Sequence, residues 1–153
     1  MQFSIKPIAV VSNSRKIIED DHWGEVISNI ELTEDIHESS LKGIDDFSYL
    51  EIIFYFDKVS DENIQYEARH PRNNKEFPEV GIFAQRGKNR PNKLGVTVVE
   101  LVKLKDRTLT VKGLDAIDGT PIIDIKPIMK EFLPKGEIKQ PHWATELMKN
   151  YWD

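Results

Sequence analysis

Apolar and polar positions alternate with a period of two along much of this chain, the spacing of half-buried strands. Lys6 to Ser12 (KPIAVVS) is a short β-branched run, and Gly24 to Leu32 (GEVISNIEL) alternates through Val26 and Ile30. Ser48 to Phe56 (SYLEIIFYF) is dense in aromatic and β-branched residues and predicts a central strand. Val80 to Gln85 predicts another short strand. Leu94 to Lys105 and Thr108 to Ile117 flank Asp106-Arg107, a two-residue connection that predicts a β-hairpin. Pro121 to Lys126 (PIIDIK) is the last predicted strand.

Helical signals are few. Thr33 with Asp35 and Ile36 predicts the cap of a short helix ending before Gly43. Within His142 to Trp152, Trp143, Leu147 and Tyr151 recur at helical spacing and make one apolar stripe, with Pro141 just ahead. The stripe is expected to pack on the chain's own barrel. Asp57 to Glu79 and Pro127 to Pro141 read as polar, proline-containing linkers. Many short strands separated by turn signals predict an all-β antiparallel barrel or sandwich with a few short peripheral helices, not βαβ units. The expected organisation is a barrel domain over 1–141 with a C-terminal helix, 142–153, packed on it.

Composition narrows the class. The chain has 153 residues, 39% hydrophobic and 31% charged, enough for one ordinary globular domain. No apolar run approaches the roughly 20 residues of a membrane helix. The N-terminus has no signal-peptide cleavage pattern, so a cytoplasmic protein is expected. There is no cysteine, which excludes disulfides, thiolate metal sites and a Cys nucleophile. The four histidines (His22, His37, His70, His142) show no ligand spacing, so no metal site is expected.

Charge is unevenly distributed. Residues 1–60 carry 5 basic and 12 acidic side chains, although the whole chain is only −5. Residues 84–112 run the other way, with Arg86, Lys88, Arg90, Lys93, Lys103, Lys105, Arg107 and Lys112 against Glu100 and Asp106. That segment is either a solvated hairpin or the place where a polyanion docks.

Two stretches carry candidate chemistry. Gly81 to Val96 (GIFAQRGKNRPNKLGV) packs three glycines, Pro91, Arg86, Arg90 and Asn92 between strands. It is either a tight surface loop or a ligand-reading loop whose backbone comes close to its ligand. Gly113 to Pro127 (GLDAIDGTPIIDIKP) holds the turn Asp118-Gly119-Thr120-Pro121 and gathers Asp115, Asp118, Asp124 and Lys126. Asp124 with Lys126 is either a structural ion pair or a tuned base with its partner. No GxGxxG, Walker loop or GxSxG elbow is present.

Together these motifs resemble the TsaA-like (TrmO) family of tRNA methyltransferases. The pattern runs through Gly81-Ile82-Phe83-Ala84-Gln85-Arg86, then Arg90-Pro91-Asn92-Lys93-Leu94-Gly95, then Asp115-Ala116-Ile117-Asp118-Gly119-Thr120-Pro121-Ile122-Ile123-Asp124-Ile125-Lys126-Pro127. Upstream, Pro7 to Val11 and Leu41 to Leu50 are similar to the family's opening strand and its turn into the long strand. The sequence departs from the family pattern at His70-Pro71-Arg72-Asn73, Gly87-Lys88-Asn89, Lys93 and Ile128.

The resemblance implies a small β-barrel that binds S-adenosylmethionine, acts as a homodimer and methylates N6 of threonylcarbamoyladenosine beside a tRNA anticodon. The alternatives are a cofactor-binding interaction module, or a methyltransferase for a smaller acceptor. It implies that Phe83, Ala84, Gln85 and Arg86 line the cofactor pocket, that Asp118, Gly119 and Thr120 close it, and that Leu114 packs on the adenine. Arg90 and Asn92 would hold the loop and either the cofactor carboxylate or the substrate. A urea-type N–H is a poor nucleophile until its proton is removed, so Asp124 is the expected base and Lys126 either its orienter or a contact to phosphate. The sulfonium would favour aromatic faces such as Phe83 or Tyr49. Lys88, Lys93 and Arg72 are the expected tRNA contacts, within or near the basic 84–112 segment.

Overall fold

The computed structural model describes residues 1–153. Eight strands form: β1 (Ala9–Ser12), β2 (Ile27–Leu32), β3 (Tyr49–Tyr55), β4 (Ala68–Arg69), β5 (Val80–Gly81), β6 (Leu94–Lys105), β7 (Thr108–Lys112) and β8 (Pro121–Pro127). Six of them close into a barrel in the order β1-β2-β7-β6-β3-β8, and β4 and β5 pair separately. The barrel's pairs are antiparallel, and β8 closes on β1 through Ala9 opposite Ile122 and Val10 opposite Pro121. Closure leaves the barrel no exposed edge to template another chain.

Alternation decides which side chains go in. β2 buries Ser28, Ile30 and Leu32, while β3 buries Leu50, Ile52 and Phe54. Val11, Val99, Leu109, Val111 and Ile122 meet them from the other strands. β6 is long enough to serve two neighbours. Its first part pairs with β3 and its second with β7, and a register shift between Leu101 and Lys103 re-aims it between the two.

Local differences from the expected elements have simple causes. The predicted strand over 80–85 is two residues of β5 followed by a 3-10 turn, Ile82–Ala84. Its partner β4 lies in what reads as a linker, because two residues carry no periodicity. The run from Thr108 stops at Lys112, where Gly113 takes φ 86° and turns the chain. The segment after Thr33 is not an α-helix but two 3-10 turns, Glu38–Leu41 and Ile44–Asp46. The cap of the first is His37, whose Nδ1 accepts from the Ser39 N–H. α1 spans only His142–Leu147, then unwinds into turns that carry Tyr151 and Trp152.

One end of the barrel is the important one. There β1, β3 and β7 finish, and β2, β6 and β8 begin. Phe54 sits on the core there, edge-on to Phe56 with ring centroids 5.2 Å apart. The rings fit because residue 95 is glycine: a Cβ there would lie 2.6 Å from Phe54 ring atoms and 2.9 Å from Phe56. Gly95→Ala is therefore expected to destabilise the fold by about 1–3 kcal/mol through overpacking. Urea unfolding at constant m-value measures this, and an unchanged midpoint contradicts it.

Candidate functional site

That barrel end opens into a cavity of about 830 Å3. Phe54, Phe56, Ala116 and Thr120 face it from the barrel, with Val59 and Ile82 beside them. Ala84, Gln85, Arg86, Gly87, Lys88 and Asn89 bring the glycine-rich loop to it. Trp143, Leu147, Met148, Tyr151 and Trp152 bring the C-terminal segment to it, and Trp23 joins from the β1–β2 connection. All three tryptophans of the chain thus line one cavity. Its size and largely apolar wall are those of a site for a cofactor-sized molecule.

One carboxylate organises the polar side. Asp115 lines the cavity between buried Leu114 and Ala116, on the connection from β7 to β8. Thr97 on β6 donates a hydrogen bond to its Oδ1, and the Tyr151 hydroxyl donates to its Oδ2. Burial, and then the adjacent Asp115 charge, push the Tyr151 phenol far above its ordinary value. Tyr151 therefore stays a donor throughout the working pH range. Arg86 and Arg72 stand near enough to oppose that shift with their positive charges.

The C-terminal segment is pinned by its backbone as well. The His22 N–H donates to Asn150 O (3.1 Å) and the Trp23 N–H to Tyr151 O (2.8 Å). Trp23 is buried beneath the Arg15 guanidinium, 3.9 Å from the ring centroid. Gly24 makes the approach possible, since a Cβ there would lie 2.0 Å from Trp152 O.

The structure distributes the expected site residues unevenly. Ala84, Gln85, Arg86 and Thr120 line the cavity. Gln85 also braces the small sheet by donating to Arg69 O (3.0 Å) and Val80 O (2.9 Å). Phe83 is not part of the cavity lining and is 76% exposed. Arg90 clamps its own loop, donating to Gln85 O at 2.7 Å. Asn92 takes φ 64° inside a tight turn, and Gly119 takes φ 83° in the Asp118-Thr120 turn. Leu114 is fully buried in the barrel core rather than on the cavity wall. Asp118 faces the end of β1, accepting from the Asn13 N–H (3.0 Å) and pairing with Lys16 (2.8 Å).

Asp124 and Lys126 pair with each other at 3.1 Å. They stand on the outside of β8, opposite Ile53 and Glu51 of β3, and outside the cavity lining of their own chain. A bulge and a turn explain the separation: strict alternation would put Asp124 on the face of buried Ile122, but the register shift between Ile53 and Phe54 turns Asp124 and Lys126 outward, while Asp118 meets the end of β1. Tyr49 is exposed at the far start of β3.

The basic segment is also divided. Arg86 donates to Val96 O (2.5 Å), Arg107 to Thr33 O and Ile36 O, and Lys112 pairs with Glu25. Lys93 is buried, donating to Val59 O and Asp61 at 3.1 Å each. Arg72 lines the cavity while paired with Asp21 at 2.9 Å. Lys88 stays on the cavity rim, whereas Lys103 and Lys105 lie toward the opposite barrel end. No group of three or more His, Asp or Glu side chains converges as a metal site, and no helix is long and apolar enough to cross a membrane.

Sequence reasoning did not single out Trp23, Arg69 or Trp143 for the site. Tyr151 was legible only as part of an apolar stripe, and Asp115 only as one of several acids in the second motif. The usable signal for Asp115 was its place between two apolar residues just after a glycine turn.

Comparisons with known proteins agree with this architecture. The model of the tRNA-methyltransferase O N-terminal domain family matches residues 18–132. An S-adenosyl-L-methionine-binding protein of Archaeoglobus fulgidus is 30% identical over 131 residues, covering 83% of this chain and 90% of its own length. The tRNA (adenine(37)-N6)-methyltransferase of Mus musculus is 37% identical over 95 residues, 62% of this chain but 22% of its own length. That of Homo sapiens is 34% identical over 113 residues, 74% of this chain and 25% of its own length. The chain thus spans about a quarter of these longer relatives. A crystal structure of TrmO from Pseudomonas aeruginosa superposes with a TM-score of 0.73 over 94% of this chain and 62% of that one, at 24% identity, a likeness of fold.

Two outcomes are expected from this geometry. Gly24→Ala should unseat the C-terminal segment, so that the His22 and Trp23 amides exchange faster while β3 and β6 stay protected. Unchanged exchange at both amides contradicts the pinning. Lys16, then the Asn13 N–H, hold the Asp118 carboxyl below its ordinary value of 3.8. A depressed folded-state pKa means the tie contributes fully above about pH 4 and is lost as pH falls through the folded value. Asp118→Asn should therefore flatten the acid limb of a stability–pH profile, and an unaltered limb contradicts this.

Proposed function

Because the chain belongs to the tRNA-methyltransferase O N-terminal domain family, we propose that it is an S-adenosylmethionine-dependent methyltransferase acting on N6 of adenosine in tRNA. We place its acceptor as threonylcarbamoyladenosine beside the anticodon, and its working form as a homodimer. The observation that carries the reading is the one cavity that joins three tryptophans, the Asp115 carboxylate and the Arg86 guanidinium.

The donor set suits that cofactor. It is a zwitterion with an aromatic base, a cationic sulfur and a carboxylate. The indoles offer faces to an adenine and to a cation. Asp115 supplies negative charge at the polar side, held in place by Thr97 and Tyr151. Arg86 supplies the positive charge that a carboxylate needs. When bound, the cofactor would supply a methyl group on a positively charged sulfur, open to a urea-type nitrogen whose proton a base removes.

The chain's own residues then have divided tasks. Trp143, Leu147 and Trp152 keep water from the cavity, and Lys88 on the rim attracts an anionic acceptor. Asp124, oriented by Lys126, is the base. It stands outside its own cavity, so it reaches an acceptor only across a subunit interface. The outer face of β6, β3 and β8 supports that arrangement. Val98 and Tyr49 are half exposed on it, Val96 and Ile53 flank them, and the Asp124–Lys126 pair sits among them. A two-fold axis beside this face, rather than through the Asp124–Lys126 pair, would bring that pair to the cavity mouth of the partner subunit.

A second reading, a cofactor-binding module without transfer, is favoured by one observation: Arg86, Arg90, Lys93, Arg107 and Lys112 all bond within the protein. The same assay separates the two. Protein, labelled S-adenosylmethionine and tRNA lacking the modification are mixed, and the digested nucleosides are read by mass spectrometry. Methylated threonylcarbamoyladenosine is the expected product; cofactor binding without it in any nucleoside leaves the module reading. In the active protein, Asp124→Ala should lower transfer roughly 10²–10⁴-fold while sparing cofactor affinity. Asp115→Asn should instead weaken cofactor affinity measured by calorimetry. The reverse pattern overturns both assignments.

A further inference from the structure

Two aromatic side chains stand exposed beside the cavity with no task inside the fold. Tyr66 is 72% exposed and Phe83 is 76% exposed, among the most exposed aromatic residues of the chain. Side chains of this size normally bury their rings, so two left in water close together need a partner.

The backbone beneath them is fixed. Gln65 N–H donates to Asn89 O (3.0 Å), and Ile82 N–H donates to Glu67 O (3.0 Å). Tyr66 lies between these two ties, so its segment is held against both the Gly87–Asn89 loop and the Phe83 segment. The second tie extends the β4–β5 pairing, in which Ala68 stands opposite Gly81 and Arg69 opposite Val80. Phe83 itself lies in the Ile82–Ala84 turn, anchored by buried Ile82 and by Gln85, whose N–H donates to Ile82 O. The neighbours of Phe83 along the chain, Ala84 to Asn89, line the cavity. Both rings therefore project into solvent from a rigid support that adjoins the cavity-lining Ala84–Asn89 loop, and they do not stack on one another.

We infer that Tyr66 and Phe83 are a stacking platform for unpaired bases of an RNA loop, positioning the nucleotide beside the cavity. The inference rests on the tRNA reading above and deepens it. Base faces, rather than phosphates, are the suited ligand, because Glu67, exposed next to Tyr66 in the chain, repels phosphate. Phosphate contact falls to Lys88, on the adjoining loop. Aromatic platforms bordered by a basic loop are how single-stranded nucleic acid is held without reading sequence. An adenosine displaced from a loop needs its neighbours held in this way if it is to enter a cavity.

The test compares a hairpin RNA bearing an unpaired loop with a fully paired duplex of equal length, bound by the intact protein across a salt series. Wild type should prefer the looped hairpin. Tyr66→Ala and Phe83→Ala should each weaken hairpin binding roughly ten-fold, leave duplex binding unchanged and leave the salt slope unchanged. Tyr66→Phe and Phe83→Tyr should restore the affinity, since either ring offers a face. Lys88→Glu should change the salt slope instead. Equal losses on hairpin and duplex, or no loss from either alanine variant, overturn the platform. A wild type with no preference for the loop overturns it too. Loop preference that Tyr66→Ala removes, in a protein that binds no S-adenosylmethionine, supports the platform and sinks the methyltransferase reading alone.

Discussion

Asp115 is the constraint around which the functional end of this barrel is arranged. A carboxylate set between two buried apolar residues must have its hydrogen bonds satisfied. Thr97 supplies one donor from the barrel wall and Tyr151 the other from the far end of the chain. The same group thus joins the barrel to the segment that covers its mouth. Around that tie the tryptophans assemble: Trp23 under the returning backbone, Trp143 and Trp152 on the covering segment. Without it, only the backbone bonds from His22 and Trp23 would hold the last turn over the apolar opening.

Glycine placement makes the closure possible on both sides. Gly95 admits the Phe54 and Phe56 rings at the base, and Gly24 admits the Trp152 carbonyl at the rim. The barrel core is otherwise ordinary alternating packing. Function is concentrated where strands end and connections begin, as is usual when a rigid scaffold presents loops.

The barrel was legible because its information is periodic. β2, β3 and β7 alternate so cleanly that inner and outer faces follow from sequence alone. The two-residue Asp106-Arg107 connection fixed the β6–β7 hairpin. The small β4–β5 pair was not legible, because two residues of strand have no period. The site was partly legible. Ala84, Gln85, Arg86 and Thr120 come together at the cavity, since the first motif leads into β6 and the second joins β7 to β8 at the same barrel end. Phe83, Leu114 and Asp124 illustrate what sequence proximity hides. One residue in a turn, a core or a pleat sends a side chain outward, inward or to the opposite face. The tie from Asp115 to Tyr151 spans 36 positions and carries no local signal.

The central claim is that the cavity closed by the C-terminal segment is the cofactor site. Since all three tryptophans line it, their indole N–H resonances report on it alone. Titration with S-adenosylmethionine should shift all three, while the methyl resonances of Val102, exposed on the part of β6 that turns toward β7, stay in place. Saturable shifts confined to Val102, with the three indoles unmoved, would contradict the account.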